Sequence, residues 1–173
     1  MLRLVEPDKE YEEKFKAMMD EWYLSGEKIV PYSIRRLDYK NFDEYLKGFE
    51  EEKQGILYGG VPATTLWGYD EEKDIIVGAV NIRHFLNDDL LKDGGHIGDG
   101  IRPLERRKGY ASKMIALALE ECKKLNIDKV LMVCNKDNIG SAKSIINNGG
   151  ILENEIIDER GKTNQRYWIN LSK

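Results

Sequence analysis

Cysteine and histidine are scarce in this 173-residue chain, with two of each: Cys122 and Cys134, His84 and His96. Two cysteines cannot build a disulfide framework. One falls in a predicted helix and one in a predicted strand, where buried free thiols are common. The histidines have no companions at zinc-like spacing, so no metal is expected. Long apolar runs are missing too. No window approaches a membrane span, and the opening "MLRLVEPDKEYEEKF" lacks the apolar stretch of a signal peptide. Neither membrane attachment nor export is expected, and a reducing cytoplasm is the simplest location. Positive charge is in deficit, with 27 Lys and Arg against 31 Asp and Glu for a net charge of −4. That balance argues against a nucleic-acid or anionic-membrane binder and suits a cationic ligand. Internal repeats and low-complexity linkers are absent, so one domain spanning 1–173 is expected.

What the chain does have is alternating helix and strand periodicity. "LRLVEP" reads as a first strand. Tyr11, Phe15, Met18, Met19 and Trp22 then recur at helical spacing between Asp8, a plausible N-cap, and Leu24. A second helix is predicted from about Asn41 to Lys53, with Phe42, Tyr45, Leu46 and Phe49 on one face. The run Glu50-Glu51-Glu52 at its end reads as a solvated surface. Two strands, 61–70 and 74–85, flank the turn "EEK". The stretch "NDDLLKDGG" reads as a loop, and a strand over 96–102 carries Gly98 and Gly100, which a bulge or a ligand's close approach would explain. A strongly amphipathic helix follows over about 107–125, then a buried strand over 128–135. Asn138 is placed to cap a short helix that stops at Gly149. "ILENEII" and "QRYWINL" close the chain as a hairpin. This order implies an α/β (α+β) fold: a mixed, mostly antiparallel sheet of about seven strands flanked by about four helices.

The most informative stretch is "IRPLERRKGYASKM", residues 101–114. A strand that turns into a helix leaves the first helical N–H groups unpartnered, and the macrodipole adds positive potential there, which suits a phosphate. Gly109 and Ala111 keep side chains off that backbone. Arg106, Arg107 and Lys108 put cations where a helix disfavours them by roughly 0.3–1 kcal/mol each, which makes sense if an anion neutralises them. The Walker pattern G-x-x-x-x-G-K-[ST] is absent, and so is a dinucleotide-binding G-x-G-x-x-G after a first strand. The pattern present is R-x-x-G-x-A, from Arg106 through Gly109 to Ala111.

With that motif in that context, the sequence resembles the GNAT superfamily of acyl-CoA-dependent N-acetyltransferases. "RRKGYA" fits the family signature [Q/R]-x-x-G-x-[G/A], and "VCNKDNIGSAKSIINNGG" looks like the family's next strand and helix. "GHIGDGIRPLERRKGYA" is most similar to a bacterial subgroup without assigned substrates, whose members typically carry an aromatic residue in place of Asp99. The resemblance implies acetyl-CoA as cosubstrate and an amine-bearing acceptor, and it leaves a homodimer open. Backbone N–H groups of Arg107, Lys108, Gly109, Tyr110 and Ala111 would hold the pyrophosphate. The backbone near Ile101 and Arg102 would pair with the pantetheine arm, with Asn138 and Ser141 nearby. The strands of 96–102 and 128–134 would splay to admit the thioester.

Acid–base chemistry is less completely specified. The family's frequent helix tyrosine, which protonates the leaving thiolate, is replaced at or next to Ile145. Asp99 is the leading candidate for the base that deprotonates the amine, with His84 next; an exposed edge carboxylate and a packed histidine are the competing readings. Cys134 invites a covalent mechanism but also reads as a buried inert thiol. Trp22, Tyr32 and Trp67 would favour a small-molecule acceptor if they lined an enclosed pocket; aromatic residues at helical spacing equally read as core. A non-catalytic acyl-CoA-binding module and a protein N-terminal or lysine acetyltransferase stand as alternatives.

Overall fold

The computed structural model describes residues 1–172. Seven strands form two sheets, and every ladder is antiparallel. The first sheet has the order β1 (Leu2–Val5), β2 (Ala63–Asp70), β3 (Ile75–Arg83), β4 (Ile97–Ile101). The second has the order β5 (Lys129–Asn135), β7 (Thr163–Asn170), β6 (Ile151–Ile157). The sheets are joined beside His96, whose N–H donates to the Leu131 carbonyl at 2.7 Å while its Nδ1 accepts from the Leu131 N–H at 2.9 Å. Beyond that point no ladder links β4 to β5.

Helices cover both faces of the first sheet. On one face, α1 (Glu12–Leu24) and α3 (Phe42–Lys53) bury Phe15, Met18, Met19, Trp22, Tyr45 and Phe49 around Trp67. Phe15 stacks on Trp67 with ring centroids 3.9 Å apart. Trp22 and Trp67 are therefore fully buried core, whereas Tyr32 is about half exposed. The other face is covered by α5 (Tyr110–Lys124), whose Met114, Ile115, Ala118 and Cys122 are wholly buried against β3 and β4. Helix α6 (Ile139–Asn147) follows β5. Its N-cap Asn138 accepts the Ser141 N–H at 3.1 Å, and Gly149, at φ +88, ends it.

Several expectations change. "NDDLLKDGG" is not a loop: it contains α4 (Asp88–Asp93), capped by Asn87, whose side chain accepts the Leu90 N–H at 2.9 Å. A one-turn helix, α2 (Tyr32–Arg35), follows Pro31. The first expected helix begins as a 3-10 turn over Lys9–Tyr11, and Asp8 caps that turn through the Glu10 N–H. Glu52 is not solvated: it is fully buried, accepting from Thr65 Oγ1 at 2.9 Å and from the Asn81 amide. Gly98 and Gly100 mark no bulge, since the β3–β4 register runs unbroken. Their space is taken by the chain itself. A Cβ at Gly100 would collide with the Val30 carbonyl, and one at Gly98 would sit 3.4 Å from Pro31 and 3.2 Å from the Arg83 guanidinium.

Candidate coenzyme cleft and acetyltransferase site

The turn after β4 is built to present backbone. A 3-10 turn at Pro103–Glu105 leads into Arg107 and Gly109, both left-handed at φ +61 and +83. The N–H groups of residues 107–112, six in succession, have no acceptor among the described residues. A Cβ at Gly109 would meet nothing, so the helix N-terminus opens straight onto solvent. The residues present therefore fit a pyrophosphate, which such a row of converging N–H dipoles binds.

This turn forms one wall of an open cleft of about 800 Å³. The opposite wall is α6, contributing Asn138, Gly140, Ser141, Lys143, Ser144 and Asn147. The cleft runs back along β4 to Asp99, Gly100 and Ile101 and reaches Val30. Backbone alternation explains why it continues there. The Arg83 N–H donates to the His96 carbonyl at 2.7 Å and the Arg102 N–H to the Val77 carbonyl at 2.8 Å, so even-numbered residues of this strand face β3. Asp99 and Ile101 consequently turn their N–H groups towards β5, where no ladder takes them. Those free edge donors suit an extended amide-bearing arm.

The comparisons with known proteins agree with this geometry. The profile of the Acetyltransferase (GNAT) domain matches residues 2–150. The chain belongs to this GNAT acetyltransferase family. No curated protein sequence matches it. Among solved structures it is similar to the microcin C7 self-immunity acetyltransferase MccE in complex with acetyl-CoA and AMP, with a TM-score of 0.71 at 16% identity, covering 98% of this chain and 92% of that one. It is also similar to yncA from Salmonella typhimurium with its cofactor acetyl-CoA (TM-score 0.66, 13% identity, 100% and 94% covered). A mutant of spermidine N-acetyltransferase SpeG from Vibrio cholerae gives a TM-score of 0.64 at 16% identity over 100% of this chain and 96% of that one.

Within this GNAT fold the side chains of the signature turn are less free than their charges suggest. Arg106 points inward: its Nε donates to the Ile101 carbonyl at 3.0 Å, its guanidinium pairs with Glu27, and it lies 5.6 Å over the Trp22 ring. Lys108 pairs with Glu105 at 3.1 Å, and Glu105 is also held by Lys73 at 2.8 Å. Arg107 alone of the three has no ion-pair partner among the described residues. Tyr110 turns its hydroxyl away to Asp70, leaving only its backbone at the cleft mouth. Arg102 is likewise absorbed, donating to Glu21 and to the Ile76 carbonyl at 3.0 Å. Its N–H is spent on Val77, so of the expected pantetheine partners Ile101 keeps a free donor and Arg102 does not.

The expected acid–base residues separate in space. His84 does not line the cleft; its Nε2 lies 2.8 Å from Thr64 Oγ1, and burial lowers its pKa. His96 is buried at the sheet junction, where burial, reinforced by Arg83, pushes its pKa down to about 4. Asp99 does line the cleft. It is half-buried, has no hydrogen-bond partner among the described residues, and burial pushes its pKa up to about 6. Its neighbour across the splay is Cys134, buried and free, whose thiol is pushed up by burial and by the Asp99 carboxylate and eased down by Ser141. Ile145 is fully buried in the core, so α6 offers no ionisable group at the place of the missing tyrosine.

Among the cleft residues that sequence reasoning missed are Val30, Glu105, Asp137, Gly140, Lys143, Ser144 and Asn147. Gly140, Lys143, Ser144 and Asn147 were legible: they recur three or four residues apart on one face of α6. Val30 was not, because nothing local ties that segment to β4. Among the described residues no cluster could hold a metal ion, and no helix is long and apolar enough to cross a membrane.

Proposed function

We propose that the protein transfers the acetyl group of acetyl-CoA to a primary amine of a small molecule. The observation that carries this reading is the row of free N–H groups at 107–112 opening into a cleft that reaches Asp99 and Ile101 on the unpaired edge of β4. Those N–H groups, with Arg107, would hold the pyrophosphate. The Ile101 N–H would pair with the pantetheine amide, and Ser141 and Asn138 would flank the arm. When bound, acetyl-CoA supplies an activated acyl carbon. The Asp99 N–H, aimed into the splay, is placed to stabilise the carbonyl oxygen as negative charge builds on it.

A small acceptor is favoured because the face opposite α5 is closed at Gly98 and Gly100 by Val30 and Pro31, which leaves a slot instead of a flat platform. The acidic net charge suits a cationic amine. The neutral amine attacks, and its proton passes to water in the open cleft.

The test is thiol release from acetyl-CoA across a panel of alkylamines, polyamines, amino acids and a lysine peptide. Turnover of a small amine is expected. Coenzyme binding without turnover of any amine would favour a binding module, and turnover of the peptide alone would favour a protein acceptor.

A further inference from the structure

Resting on that reading, we propose that Asp99 is the general acid that protonates the departing sulfur of coenzyme A, in place of the tyrosine that α6 lacks. The two faces of β4 differ. Gly98 and Gly100 point to the Val30–Pro31 side, which the chain itself fills. Asp99, one residue out of phase, shares its face with Ile97 and Ile101, which pack into the α5 core. Its carboxyl therefore stands on the coenzyme side of the splay, beside Cys134 of β5 and, beyond it, Ser141 of α6. That placement suits an acid acting on the leaving group.

Elimination points to the same residue. Three carboxyls line the cleft: Asp99, Glu105 and Asp137. Glu105 is held below its ordinary pKa by the Lys73 hydrogen bond and by Lys108, and so stays ionised. Asp137 is exposed beside the N-terminus of α6, away from the splay. The tyrosine hydroxyls nearby are committed, Tyr110 to Asp70 and Tyr167 to Gln165 at 2.8 Å. Asp99 has no cation to hold it ionised, and the Cys134 thiol is the titratable group set against it. Burial then favours its neutral, proton-bearing form.

The step balances. The amine nitrogen bonds to the carbonyl carbon and the carbon–sulfur bond breaks. Sulfur takes the proton from the Asp99 carboxyl, and the surplus proton on nitrogen passes to water. Asp99 regains a proton from solvent through the open end of the cleft.

The experiment reads the thiol of bound coenzyme A. Coenzyme A is bound to the wild-type chain, to Asp99→Asn and to Asp99→Glu, with affinity measured by calorimetry. The thiol is titrated by the ultraviolet thiolate absorbance left after subtracting the same chain without coenzyme A, which removes Cys122 and Cys134. A carboxylate beside sulfur opposes thiolate formation, so the bound thiol should titrate about one unit higher in wild type than in Asp99→Asn. Asp99→Glu should keep most of that rise, while affinity changes only a few-fold. Should Asp99→Asn fold poorly, Asp99→Ser supplies the second uncharged variant. Equal thiol titration in wild type and the uncharged variant would overturn the assignment. Failure of the wild-type chain to bind coenzyme A would instead overturn the reading beneath it.

Discussion

Gly109 shows how much one residue contributes to this site. Its φ of +83 lies where an L side chain is strained, yet a Cβ there would touch nothing. Gly109→Ala therefore separates two effects. The backbone penalty is about 1–2 kcal/mol, visible as a modest loss of stability in urea. The added methyl would also stand over the free N–H row, so coenzyme A affinity in calorimetry should fall by about tenfold or more. A loss of stability without loss of affinity would place the anion elsewhere. The motif made Gly109 legible from sequence, because glycine after a strand and before a helix has few other uses. Glu52 shows the opposite. A run of three glutamates looks solvated, and only the tertiary approach of Thr65 and Asn81 reveals that the third is buried.

At the scale of elements, the turn before α5 is tied down by α1. Glu21 accepts from the Arg102 guanidinium and, at 3.0 Å, from the Leu104 N–H. The Glu21 and Arg102 side chains are only 18% and 11% exposed. Burial pushes the Glu21 pKa up, but the Arg102 and Leu104 hydrogen bonds outweigh it and hold the carboxyl below its ordinary value. The pair therefore adds stability above the unfolded carboxyl pKa and loses it as pH falls through the lower folded one. Arg102→Met should cost about 3 kcal/mol in urea unfolding at neutral pH, because it strands a largely buried carboxylate. Adding Glu21→Gln should recover part of that loss, and the double variant should show a flatter acid limb. Helix periodicity predicted α1 and α5 but not this tie. Its partners lie 81 residues apart, and no local pattern connects them.

On the scale of the molecule, the order of strands and helices along the chain was readable, and so was the opening between β4 and β5, because the family resemblance implied it; the one mixed sheet expected is instead two antiparallel ones. Unreadable was the way the two sheets are held together, at the imidazole of His96. Its pKa falls from 6.5 to about 4 on folding, because burial and Arg83 disfavour the charged ring. The unfolded chain then binds the extra proton between those values, so stability present above pH 6.5 is lost as pH falls towards 4. The linked loss is on the order of 3 kcal/mol. A series of urea titrations across that range should show it in wild type and not in His96→Gln, which should be less stable at neutral pH.

The pairing of Arg106 with Glu27 and of Lys108 with Glu105 bears on how the cleft meets its ligand. Cations already neutralised by the protein's own carboxylates have few counterions left to release. Affinity at this turn would then come from fixed backbone dipoles and the one unpaired cation, Arg107, and it should fall less steeply with ionic strength than three free cations would make it.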